Sequence, residues 1–206
     1  MMKKILFYSF VLVFISGCSF QSIVGASNEY RLDTQSDVKS YDSKGCSSYV
    51  LQVKNIDTYS PIQSRSIYYS VGDYELSTYT KSNWQDIPSK TIKSSIVNEL
   101  RDAGIFKEVV SNRSSIEPDY LLEYSVEDFI QHFSEDMKSS EVRVKIHFSL
   151  MDHKRSKLLY STTIEKKLPS ASFDAIGGIK SLSSALNDVI KENNQWLDGI
   201  CKEEMR

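Results

Sequence analysis

Cysteine, histidine and serine are the residue types in this chain from which covalent, metal or acid–base chemistry could be built. The three histidines are His132, His147 and His153, and no two stand four apart, the spacing that puts two imidazoles on one face of a helix around a metal ion. His147 alternates with apolar neighbours and so falls on the wet side of a strand, while His153 sits in a charged loop; solvated side chains account for both. Serines abound without a Gly-x-Ser-x-Gly elbow, and none has a base beside it in sequence. Gly177-Gly178 lacks the further glycine and lysine of a phosphate-cradling loop. The acidic pairs Glu135-Asp136 and Glu203-Glu204 lie in polar segments and read as solvated charge. The expectation is a non-enzymatic chain, and three cysteines remain to be explained.

Cys18 closes the run Ile15-Ser16-Gly17-Cys18, preceded by Lys3, Lys4 and an apolar stretch from Ile5 to Ile15. A charged n-region, a short apolar h-region and small residues mark an export signal. The residues before the cysteine resemble the lipobox read by lipoprotein signal peptidase. A transmembrane anchor is the competing reading, but Ile5 to Ile15 spans only about 16 Å as a helix against a hydrocarbon core of about 30 Å. Residues 1–17 are therefore expected to be a signal peptide; the lipobox resemblance implies a diacylglycerol on the Cys18 sulfur and acylation of its amino group, with no other cofactor. Two or more acyl chains hold a protein stably at a membrane face. Loss of Lys3 and Lys4 takes the formal charge from −2 to −4, so there is no basic surplus for nucleic acid, whose binding rests on phosphate neutralisation.

Export places Cys46 and Cys201 in an oxidising compartment, where two remaining cysteines favour a disulfide between them. Two free thiols, or a bridge to another subunit, are the alternatives.

The elements that would position these groups follow from periodicity. Residues 18–48 are polar with scattered apolar residues, a composition expected of a lipidated flexible tether reaching roughly 30 Å. From Tyr49 to the C-terminus the patterning is that of one domain of ordinary size. Tyr49, Leu51 and Val53 alternate with polar residues as a strand. Ile67, Tyr69 and Val71 meet Tyr74, Leu76 and Thr78 across a Gly72-Asp73 turn as a hairpin. Pro88 opens a helix whose Ile92, Ile96, Leu100 and Ala103 share one face until Gly104 stops it, and Phe106 to Val110 reads as a short strand.

The long strand from Tyr120 changes phase between Leu122, Tyr124, Val126 and Phe129, Phe133, which a bulge near Glu127-Asp128 would reconcile. Val142, Val144, Ile146, Phe148 and Leu150 form the cleanest alternation, and the turn Met151 to Ser156 leads into Leu158, Tyr160, Thr162 and Ile164, ending at Pro169. A second helix starts near Ser172 as N-cap and carries a stripe from Ile176 through Ile200. Gly177-Gly178 costs roughly 1 kcal/mol per glycine in a helix, which implies close approach to the sheet. The expected fold is α/β (α+β): a two-layer sandwich, a mixed, mostly antiparallel sheet with two helices on one face.

Arg65-Ser66-Ile67-Tyr68-Tyr69, Tyr74-Glu75-Leu76 with Tyr79, then Trp84, Pro88, Leu100, Gly104-Ile105-Phe106, Val109 and Asp119-Tyr120-Leu121 carry a resemblance. So do Leu158-Leu159 and the last helix with Asp174, Gly177 and Leu182. In order and spacing they resemble the ABC-type transport auxiliary lipoprotein family, over most of Tyr49 to Trp196. The resemblance implies a non-catalytic periplasmic lipoprotein at the outer rather than the inner membrane, accessory to an ABC or MCE-type system moving lipids between membranes. It further implies MCE-family and permease partners and a possible homo-oligomeric ring. The alternative is a structural or regulatory lipoprotein of a secretion or cell-wall synthesis complex. Tyr68, Tyr69, Tyr74, Tyr79 and Trp84, with Tyr59, form an aromatic cluster that either packs in the core or offers a contact surface for a protein or lipid.

Overall fold

The computed structural model describes residues 27–34, 41, 45–56, 59–111 and 115–203. The expected signal peptide, Cys18 and Glu204 lie outside the described residues. Eight strands form one mixed sheet: β1 (Asn28–Tyr30), β2 (Val50–Asn55), β3 (Ser66–Val71), β4 (Glu75–Trp84), β5 (Glu108–Ser111), β6 (Tyr120–Phe133), β7 (Ser140–Asp152) and β8 (Lys157–Pro169). Among the described residues, two α-helices, α1 (Pro88–Ala103) and α2 (Ala175–Glu203), complete the two layers.

β6 is the axis of the sheet. One edge pairs antiparallel with β7 along its whole length, and β7 pairs antiparallel with β8. The other edge is forked: Tyr120–Tyr124 runs parallel to β2, whereas Gln131–Phe133 runs parallel to β3. The gap between the branches is occupied by the single turn Ser60–Ile62, whose Pro61 and Ile62 are buried. The register of β6 against β7 shifts between Val126 and Asp128, within this gap. That bulge is the one the alternation required: Leu122, Tyr124 and Val126 before it and Phe129 and Phe133 after it are all buried. On β7 every member of the Val142-to-Leu150 set is fully buried, and the residues between them are half-exposed. A sheet covered on one face and wet on the other imposes that pattern.

The helices follow from local chemistry. Pro88 occupies the first turn of α1, where its missing N–H is no loss, and Gly104 ends the helix with a left-handed φ of 66°. α2 starts later than the serine signal suggests: Asp174, not Ser172, is its cap, accepting the Gly177 N–H at 2.8 Å, while Ser172 Oγ donates to the same carboxylate at 2.6 Å. These two bonds, the serine first, hold the Asp174 carboxyl below its ordinary range.

Three segments depart from the periodicity. β5 begins at Glu108, and Ile105 and Phe106 are buried in the turn before it rather than paired. Leu158 does not continue the alternation of Tyr160 and Ile164, because the β7–β8 register shifts at Leu150/Met151 and leaves Leu158 51% exposed. Within the stretch expected to be a tether through residue 48, Asn28–Tyr30 adds to the sheet beside β4, so a free tether of that length does not hold. The parallel partner that orders these polar residues is more than fifty positions away, which no local pattern records.

Candidate functional site

The described residues at the N-terminal side of β2, 27–34, 41, 45 and 46, lie against the domain as a strap. Asn83 Nδ2 donates to Ser27 Oγ at 2.7 Å, and Asn28, Glu29 and Tyr30 align with Ser82, Asn83 and Trp84. Leu32 is buried, the Asp33 N–H donates to Ser183 Oγ on α2 at 3.1 Å, and the Tyr41 N–H donates to the Ala103 carbonyl at 3.0 Å. The strap ends in a disulfide between Cys46 and Cys201, with Cα atoms 5.4 Å apart and both residues fully buried. It closes the loop at the end where β2 and β6 start, since the Tyr49 N–H donates to the Cys46 carbonyl and the Tyr49 and Tyr120 rings meet edge to face at 5.2 Å.

The opposite end holds the aromatic residues, and the structure divides them. Trp84 is core, 4% exposed and 6.4 Å from the Phe129 ring, so it does not belong to a contact surface. Tyr68 is half-buried on β3, and Tyr59 is half-buried against the core. Tyr69 and Tyr79 stack at 4.7 Å, Tyr69 meets Phe133 at 5.6 Å, and Phe133 meets Phe173 at 6.3 Å. Tyr74, expected in the second strand of the hairpin, stands instead in the turn before β4 and is 98% exposed.

Gln131 anchors this end. It is buried, its Oε1 accepts from the Tyr79 hydroxyl at 2.8 Å, and its Nε2 donates to Ser140 Oγ at 2.9 Å, so both ends of the amide are satisfied. Burial pushes the Tyr79 phenol well above its ordinary value, with Tyr69 and the Asp174 carboxylate acting in the same direction. Gly177 and Gly178, in the first turn of α2, close over this point. A Cβ on Gly178 would lie 2.3 Å from Gln131 Oε1, and one on Gly177 would lie 2.2 Å from the backbone nitrogen of Ser172. Phe173, Leu76, Met137 and Ile176, absent from the sequence reading as surface residues, are all substantially exposed here. A phenylalanine just before a helix cap was the only local signal.

The wet face contains one constellation that sequence proximity concealed. His132 Nδ1 lies 2.8 Å from Ser70 Oγ, and His132 Nε2 lies 3.0 Å from Asp128 Oδ2. Serine, imidazole and carboxylate in series could in principle activate a nucleophile. Here they join neighbouring strands: Ser70 and His132 are register partners of β3 and β6, and Arg143 of β7 approaches the Asp128 carboxylate at 3.5 Å. The Gly72 N–H of the β3–β4 turn, two residues after Ser70, is committed to the Phe133 carbonyl at 3.0 Å. The arrangement therefore reads as a cross-strand clasp. His147 bonds Thr163 Oγ1 at 2.8 Å on the same face, and His153 lies half-buried in the β7–β8 turn. Among the described residues no group of ligating side chains could hold a metal ion, and no helix is long and apolar enough to cross a membrane.

The structure is a two-layer α+β domain with an N-terminal strap cross-linked to its last helix. The chain belongs to the ABC-type transport auxiliary lipoprotein component family, whose model matches residues 30–192. Among solved structures, it is similar to a Xanthomonas campestris protein of the DUF330 family at 19% identity and a TM-score of 0.72, covering 84% of this chain and 96% of that one. It is also similar to PelC from Paraburkholderia phytofirmans, crystallised as a dodecamer, at 20% identity and a TM-score of 0.50, covering 78% and 95%. At these identities the likeness shows the fold alone. No curated protein matches the chain.

Proposed function

We propose that this protein is the lipid-anchored periplasmic accessory subunit of an ABC or MCE-type system that moves lipids between membranes. Acyl groups on Cys18 hold it at the outer membrane, and the folded domain docks the conduit there without catalysis. The observation that carries this reading is the family match, which runs from the last residue of β1 to the middle of α2 and so takes in strands β2 to β8, α1 and the first part of α2. The lipobox supplies the anchor, and the structural roles of Ser70, His132 and Asp128 are in keeping with a non-catalytic subunit. Ring assembly, as in the PelC dodecamer, would give several such domains around one conduit.

Crosslinking in intact cells followed by pull-down tests the proposal. Recovery of an MCE-family protein together with a permease or ATPase is the expected result, and recovery of only secretion or wall-synthesis components overturns it. Density fractionation places the protein with the outer membrane on this reading. Replacing Cys18 with serine blocks acylation and releases the product from membranes; continued full membrane association would refute the anchor.

A further inference from the structure

The described chain begins at a definite height on the domain, and that height fixes which end can face a membrane. β1 runs parallel to β4, with Glu29 level with Asn83, and Asn83 pairs with Ser66. Tyr69 is level with Gln131, so Ser66 and Glu29 lie near the level of Asp128, and Ser27, two residues earlier, near that of Ile130. At about 3.3 Å per residue, Ser27 is then about 10 Å short of Phe133 at the aromatic end and about 33 Å from Tyr120 at the disulfide end. Nine peptide steps join Cys18 to Ser27, a reach of about 30 Å at full extension. That reach comfortably clears the aromatic end and its turns, but it falls short of a membrane lying beyond the disulfide.

We infer that the end bearing Tyr74, Leu76, Met137, Phe173 and Ile176 rests on the bilayer that holds the Cys18 lipid; this rests on the anchoring reading above. The five residues come from the β3–β4 turn and the start of β4, the β6–β7 turn and the entry to α2. These segments are tied together by the Gly72 N–H donating to Phe133 and by the Phe133–Phe173 ring contact. Their exposures are 98% for Tyr74, 56% for Phe173, 54% for Leu76, 46% for Met137 and 44% for Ile176. Aromatic and long apolar side chains on short turns are suited to the headgroup boundary, where an apolar body is buried and a polar tip stays wet. The charged neighbours Asp73, Glu75, Glu135 and Asp136 outnumber Lys138. The contact is therefore apolar, made to a zwitterionic surface and weakened by anionic lipid.

The test uses the full acylated chain in zwitterionic phosphatidylcholine vesicles with brominated acyl chains, which quench tryptophan at shallow depth. Tyr74→Trp and Phe173→Trp are the probes, Leu158→Trp at the far end is the control, and the native protein gives the background from Trp84 and Trp196. An insertion of about 5 to 10 Å predicts that the added emission of both probes falls about twofold against unbrominated vesicles, with Leu158→Trp unaffected. Raising the anionic lipid fraction diminishes the effect. Flotation of the same samples is scored separately. Protein that floats with unquenched probes, or with Leu158→Trp quenched as strongly, overturns the orientation while leaving the anchor standing. Protein that fails to float overturns the anchor and this inference with it.

Discussion

Removing the Cys46–Cys201 crosslink is the sharpest perturbation the structure offers. The bridge joins residues 155 positions apart, so it closes a loop that contains nearly the whole domain. On the chain-entropy account, a loop of this length restricts the unfolded chain by about 5 kcal/mol at 25 °C. For a domain of this size the expected fall in Tm is about 10 to 20 °C. Native domains have only about 5 to 15 kcal/mol in hand, so the loss is a large share of the total. Two measurements separate topology from packing. Reduced wild type keeps both sulfur atoms in their buried site, whereas the Cys46→Ala/Cys201→Ala variant also loses their packing, adding about 1 to 2 kcal/mol. Urea unfolding followed by the fluorescence of Trp84 and Trp196 gives both stabilities. The m-value should rise in both uncrosslinked forms, because an open chain exposes more surface when unfolded. Reduced protein within a few tenths of a kcal/mol of the oxidised form, with an unchanged m-value, would refute the loop argument.

Two glycines of α2 should respond oppositely to alanine. Gly177→Ala drives a methyl into Ser172 and should cost about 1 to 3 kcal/mol despite the better helix propensity, whereas at Gly199 a Cβ meets nothing within 4 Å and alanine should gain up to about 1 kcal/mol; chemical denaturation measures both. Asp174→Ala should cost about 1 kcal/mol at pH 7 through loss of the cap. Because the folded carboxyl is held below its ordinary value, its contribution is present above the unfolded pKa and is lost as pH falls through the lower folded one. The gap between wild type and variant should therefore close in acid, and a gap that persists there would contradict the cap's role. Tyr79→Phe strips the buried Gln131 Oε1 of its partner and should cost about 1 to 3 kcal/mol, read by thermal or urea unfolding.

Much of this was legible where the determinant is local. The β7 alternation, the Pro88 and Gly104 boundaries of α1, and the phase change that demanded a bulge at Glu127-Asp128 reflect steric and hydrogen-bonding rules acting within a few residues. The close approach at Gly177-Gly178 was readable because a paired glycine inside a helical stripe has a cost that packing must offset. Composition and spacing place Trp84 and Tyr74 in one aromatic cluster, yet one is sealed against Phe129 and the other stands exposed in a turn. Aromatic composition is the same in both settings, and only the path of the chain distinguishes them.

By itself the sequence determined the strand and helix periods, the turn and cap positions, the absence of familiar catalytic motifs and the cysteine pair available for a bridge. The tertiary structure alone decided that β6 would serve two different strands on one edge, and that polar residues 28–30 would become an eighth strand. It also decided that Ser70, His132 and Asp128 would meet, and that five apolar side chains would gather at one end. The physical reason is range: torsional preference and amphipathic period are written residue by residue, whereas strand partners and exposed patches arise from contacts between segments far apart in the chain, whose closure no short stretch encodes.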